Sequence, residues 1–151
     1  MLAMKKWFLA LSVSFCLSSC SYLTNFYIFN TTEEAITITY KAKNIEVYTP
    51  FVTAPKVFNF KNLKTIQEKE LPNASIKVKD SLTIVAILQP KQALWIGLDR
   101  SFILKNDRHK LKQNLNYASI TGNLPPKHYT AEEILPEFKE ITYKIVGIEV
   151  E

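Results

Sequence analysis

Residues 35–41 read AITITYK, and their alternation decides the fold. Ile36, Ile38 and Tyr40 fall on one side of an extended chain, and Thr37, Thr39 and Lys41 fall on the other. A period of two places successive side chains on opposite faces of a pleated strand, so the segment is a half-buried strand and not a helix. Just upstream, residues 24–30 (TNFYIFN) share its aromatic and β-branched character. The polar link Thr31-Thr32-Glu33-Glu34 between the two reads as a hairpin connection.

The same grammar continues downstream. Residues 75–79 (SIKVK) alternate, with Ile76 and Val78 inward. Residues 82–88 (LTIVAIL) are almost continuously apolar, the pattern of a central strand buried on both faces, and Pro90 ends it. On that reading aspartate at either Ile84 or Ile87 unfolds the domain. Residues 93–98 (ALWIGL), 101–104 (SFIL), 115–121 (LNYASIT) and 141–150 (ITYKIVGIEV) complete the set. About seven to nine short strands imply an all-β domain, a single antiparallel β-sandwich. The opening pair of strands resembles those of immunoglobulin-like bacterial domains, although no Cys–Trp–Cys spacing accompanies it. One short helix near the C-terminus is expected where Thr130-Ala131-Glu132-Glu133 forms a capping box, limited to about two turns by Pro136.

The N-terminus follows a different pattern. Lys5 and Lys6 precede an apolar run over residues 7–17 (WFLALSVSFCL), too short to span a bilayer and matched to a secretion signal; Met4 looks like a natural start. Leu17-Ser18-Ser19-Cys20 then resembles the lipobox of bacterial lipoproteins. That resemblance covers the first 20 residues. It implies acylation of the Cys20 sulfur, cleavage just before it, and attachment of the chain to a membrane of the cell envelope. Ser21, rather than aspartate, follows the cysteine, which by the same resemblance favours the outer membrane, facing the periplasm. The expected organisation is a signal peptide at 1–19, an anchor and short tether at 20–23, and the sandwich at 24–151. At about 3.3 Å per residue the tether reaches roughly 10 Å, so the domain rides close to the bilayer.

Composition excludes several chemistries. The chain holds 19 basic and 14 acidic residues; without Lys5 and Lys6, 17 scattered basic residues remain, which is not the concentrated face that nucleic acid requires. Two cysteines and two histidines leave almost nothing for a zinc site. Three glycines (Gly97, Gly122, Gly147) cannot build a phosphate cradle, so no cofactor is expected. There is no G-x-S-x-G elbow. His109 and His128 lie in polar loop sequence, and the pairs Glu33-Glu34 and Glu132-Glu133 suit a turn and a helix start better than paired acid–base work. A non-enzymatic module is expected.

One stretch carries a lead on partners. Residues 47–60 (VYTPFVTAPKVFNF) set Tyr48, Phe51, Phe58 and Phe60 around Pro50 and Pro55. Prolines confine such a segment to a sheet edge or loop. Two readings stay open: an irregular edge strand whose aromatics turn into the core, or an exposed strip that takes an envelope protein partner, with the free edge accepting a strand. Residues 62–70 and 106–114 read as charged surface loops. The function expected is that of a membrane-anchored envelope lipoprotein acting as an interaction or accessory module. The alternative is a small sandwich that binds a lipid or glycan.

Overall fold

The computed structural model describes residues 21–72, 75–122 and 125–151; the signal segment, the lipobox and Cys20 lie outside the described residues. The chain is mostly β, in two sheets. The six-stranded sheet has the order β10-β11-β1-β7-β3-β4, built from β10 (Lys139–Thr142), β11 (Ile145–Val150), β1 (Leu23–Asn30), β7 (Gln92–Arg100), β3 (Lys56–Asn62) and β4 (Thr65–Glu70). The five-stranded sheet has the order β5-β6-β2-β8-β9, built from β5 (Ile76–Val78), β6 (Thr83–Leu88), β2 (Ile36–Ala42), β8 (Leu115–Thr121) and β9 (Lys127–Thr130). Alternate residues of both sheets meet in one sandwich-like core: Phe26 and Ile28 of β1, Leu94 and Ile96 of β7, Ile38 and Tyr40 of β2, Ile84 and Leu88 of β6. In β2 the burial alternates along the whole strand, as its sequence requires.

The expected hairpin between the first two strands does not form. β1 and β2 belong to different sheets, and β1 pairs with β7 antiparallel and with β11 parallel, so the architecture is mixed and not purely antiparallel. The physical reason is Asn30, fully buried at the end of β1. Its Nδ2 donates to the Glu34 carbonyl at 2.7 Å and to the Leu88 carbonyl at 3.0 Å. Its Oδ1 accepts from the Thr32 amide and from the Thr32 hydroxyl. A buried amide with its hydrogen bonds filled in this way folds the link onto itself and ties it to the end of β6 in the other sheet.

Four other expectations change. β6 buries Ile84, Ala86 and Leu88 on one face, while Ile87 on the other is 40% exposed; it is not buried on both sides. Val78 is likewise exposed, because β5 is an edge strand of three residues. Residues 141–150 are not one strand. The chain reverses at Tyr143 and Lys144, where the Lys144 amide donates to the Thr142 hydroxyl, and β10 pairs back on β11. Residues 101–104 form no strand either. The backbone turns at Ser101 (φ 52), and Phe102 drops into the core edge-on to Phe26 at 5.0 Å.

The two charged segments expected as loops are ordered. Residues 65–70 form β4, whose exposed polar side chains protect a sheet edge from unwanted pairing. Residues 104–112 form a short helix, α1 (Leu104–Asp107), and a 3-10 turn (Arg108–Lys112). The Asp107 carboxylate accepts from the Ile103 amide and pairs with Lys110 at 3.0 Å, contacts that hold its pKa below the usual range. The capping box at residue 130 forms as its spacing demands: the Thr130 amide donates to Glu133 at 2.9 Å and the Glu133 amide to the Thr130 hydroxyl at 3.3 Å. No α-helix follows it. Pro136 arrives too soon for a second turn, and the segment tightens into the 3-10 turn Leu135–Glu137.

The long β2–β3 connection is held by its polar groups. Asn114 Oδ1 accepts from the Asn44 amide, and its Nδ2 donates to the carbonyls of Asn44 and Phe51. The Tyr40 hydroxyl donates to the Val52 carbonyl, and burial pushes its pKa up. Pro50 bridges to Gly97, whose φ of +140° opens room for the Thr49 carbonyl. Beside them the Thr49 hydroxyl is buried and finds no hydrogen-bond partner among the described residues. Thr49→Val is therefore expected to leave stability unchanged or to raise it by up to about 1 kcal/mol. A denaturant midpoint that falls in this variant would mean that the hydroxyl is satisfied after all.

Candidate functional site

The four aromatics of residues 47–60 do not form one exposed strip. Phe51 is fully buried in the shared core, where its ring meets Tyr40 at 5.3 Å and Phe138 at 6.2 Å. Phe58 and Phe60 lie on the outer face of the six-stranded sheet in a second cluster with Tyr27, Phe29 and Trp95. That cluster closes on itself. Phe60 stacks edge-on against Phe29 at 5.3 Å, and burial pushes the Tyr27 hydroxyl up to about 12. Gly147 lies under it because a Cβ there would meet the Phe29 ring at 2.5 Å. Nor is β3 a free edge: β7 flanks it on one side and β4 on the other, with Lys56 paired to Glu70 at 3.0 Å. Of the two readings of this stretch, the exposed strip with a free edge is therefore not what forms: Phe51, Phe58 and Phe60 are packed and β3 is covered on both sides. The reason is the charged sequence of β4, which reads as a loop but serves as the sheet's outermost strand.

Tyr48 is the exception, and it belongs to a different grouping. β1 begins at Leu23, opposite Arg100 at the end of β7. β2 ends at this pole, leading into residues 43–49, and β10 turns into β11 there. The Arg100 guanidinium sits over the Tyr48 ring at 4.9 Å, a contact that holds the 43–49 segment against the end of β7. Nine large apolar side chains are exposed among the described residues, and six of them gather here: Leu23, Ile45, Val47, Tyr48, Ile103 and Tyr143. Ile45 is 72% exposed, Val47 64%, Tyr143 61% and Tyr48 56%. Scattered single apolar residues are ordinary on a surface, but a gathering at one pole is not.

Polar contacts brace the exposed groups from beneath. The Ser101 amide donates to the Tyr22 carbonyl, and the Tyr22 hydroxyl to the Phe102 carbonyl. The Thr24 hydroxyl reaches the Tyr143 carbonyl at 3.3 Å, the Asn25 amide reaches the Lys144 carbonyl, and the rings of Tyr22 and Tyr143 meet edge-on at 5.7 Å. Lys144 lies over the Tyr143 ring at 5.2 Å. Lys43, Arg100, Lys105 and Lys144 are exposed around the apolar groups. The neighbouring carboxylates Asp99 and Asp107 are both taken by Lys110, at 3.6 and 3.0 Å, which leaves Glu46 as the exposed acid inside the loop. This pole was missed in the sequence because its members come from four separate segments.

The opposite pole holds a cavity of about 330 Å³. Ile36, Ile120 and Val150 line its apolar side, and Glu33, Lys127 and Glu151 its charged side. His128, on β9, is exposed, as is His109. Glu132 pairs with Lys112 and does not approach either histidine in a hydrogen bond or ion pair. Among the described residues no group of three or more His, Cys, Asp or Glu side chains could hold a metal ion, and no helix is long and apolar enough to cross a membrane. No protein-family model, curated protein or solved structure matches the chain.

Proposed function

We propose that the chain is a membrane-anchored lipoprotein of the bacterial cell envelope, acting as a non-enzymatic interaction or accessory module. The observation that carries this is the N-terminal pattern: Lys5-Lys6, an apolar run of signal length, and Leu17-Ser18-Ser19-Cys20. Two acyl chains on such a cysteine would give stable attachment where one gives only marginal binding. Support comes from the start of β1 at Leu23, three residues after Cys20, which leaves almost no stalk. The sandwich itself is read as loosely immunoglobulin-like, supported by its first strand running parallel to its last. Ser21 after the cysteine supports an outer-membrane address facing the periplasm.

Intact-mass and peptide mass spectrometry on the detergent-extracted native protein tests the anchor. The expected species begins at Cys20 and carries added acyl mass. A species that begins at Cys20 without lipid, or at another residue, would make this a freely diffusing exported domain. A second reading, a small lipid- or glycan-binding sandwich, has the cavity beside Ile36 and Val150 in its favour, at the lower end of ligand-site sizes. Its mark would be a small molecule retained when the intact mass is recorded under non-denaturing conditions.

A further inference from the structure

We infer that the pole carrying Leu23, Ile45, Val47, Tyr48, Ile103 and Tyr143 is a bilayer-docking surface, through which the domain inserts side chains into the membrane interface in addition to any acyl anchor. This deepens the anchored reading and rests on it.

Three independent observations meet at this pole. The first is composition. Six of the nine exposed large apolar side chains among the described residues lie here, on the 43–49 segment, the turn between β10 and β11, the residues after β7 and the start of β1. The second is chemistry. Two of the six are tyrosines with a cation over the ring, Arg100 at Tyr48 and Lys144 at Tyr143. Tyrosine rings favour the headgroup level of a bilayer, and long basic side chains lay apolar stems in it while their charges reach phosphate. Lys43 and Lys105 add to that charge; Lys110 pairs with both Asp99 and Asp107 and offsets one of their two negative charges, and with Glu46 counted the basic groups remain in excess. Basic residues near an anionic leaflet are attracted to it. The third is position. Ser21 leads directly into this pole, and the residue before it is Cys20, the proposed site of acylation. A lipid there would hold the pole, and not the sheets' outer faces or the far cavity, against the bilayer.

A protein partner fits this surface less well. A stable protein interface is expected to have a packed core with charge kept to its rim. Here the apolar side chains stand on four separate segments with exposed charged residues among them, which suits a fluid headgroup layer better than a fixed mould.

Brominated acyl chains give the test, because they quench tryptophan only at close range. Tyr48→Trp keeps the aromatic face under Arg100, and Ile87→Trp places the same probe on the outer face of the other sheet, toward the far pole. Both variants are made in the full chain, processed by the cell, extracted, and reconstituted into vesicles of phosphatidylethanolamine with a minority of phosphatidylglycerol. Emission is read above that of the unsubstituted protein, which supplies the Trp95 background. With brominated lipid, Tyr48→Trp is expected to lose most of its added emission and Ile87→Trp to keep its own. If neither probe is quenched, or both are quenched alike, while the mass spectrum shows acyl on Cys20, the docking surface is overturned and the anchor stands. If Cys20 carries no acyl group, quenching at Tyr48→Trp alone still upholds docking without the anchor, and its absence overturns both.

Discussion

Ile84→Asp is expected to unfold the domain, and Ile87→Asp, three positions along the same strand, is expected to leave it folded. Ile84 is fully buried and Ile87 is 40% exposed. At Ile84 the substitution removes an apolar side chain whose loss alone costs about 2–5 kcal/mol. It also places a carboxyl group among Tyr40, Leu88 and Ile38, where burial without a hydrogen-bond partner adds a few kcal/mol more even when the group is protonated. The total is comparable with the roughly 5–15 kcal/mol that keeps a whole domain folded. At Ile87 the carboxylate stays in water, opposite Thr37 in the antiparallel register, and a change of about 1 kcal/mol or less follows. Thermal melts followed by circular dichroism separate the two. A native-like melt for Ile84→Asp would mean that β6 does not face the core as described.

Gly97→Ala is the second large effect. A Cβ at this position would stand 2.0 Å from the Thr49 carbonyl oxygen and 3.2 Å from the Pro50 Cα, both backbone atoms that no rotamer change can move. The φ of +140° is a conformation that glycine alone adopts without strain. Strain of that kind costs about 1–3 kcal/mol by itself, and the clash adds the loss of the Pro50–Gly97 bridge. A denaturation midpoint lowered by the equivalent of about 3 kcal/mol or more is expected. A smaller loss would mean that residues 49–52 relax away from β7, and the backbone bond from Val52 to Ile96 should then lose protection from hydrogen exchange.

Strands were legible wherever one face is apolar, as in β2, because a half-buried strand writes its period into the sequence. Pairing was not, because it is decided by single polar residues acting at a distance. Asn30 directs the chain into the other sheet through the Leu88 carbonyl, 58 positions away, and nothing in its neighbours announces that. β4 escaped notice for the opposite reason. An edge strand exposed along most of its length is free to be charged, and its composition then matches that of a loop. The capping box at Thr130 was legible in every hydrogen bond and still did not make a helix, since local chemistry starts a turn but Pro136 stops it. Among the aromatics, Phe58 and Phe60 were hard to place because an outer sheet face that buries its own cluster looks, in sequence, like a face left open. The exposed pole was the least legible of all: Tyr48 and Tyr143 are brought near one another's level only by the register of β1 with β7 and β11.

The seat of β1 between β7 and β11 bears on the order in which the molecule is made. A chain grows from its N-terminus, so the first strand to appear is among the last to find both neighbours. The bond from Thr24 to the Tyr143 carbonyl closes a loop of 119 positions, and until Val150 is available Phe26 and Ile28 have only part of their final cover. Such long-range closure makes folding slow and exposes apolar strands while it waits. It also means that Tyr22, just ahead of β1, gains its bonds to Ser101 and Phe102 only once the residues after β7 have been made.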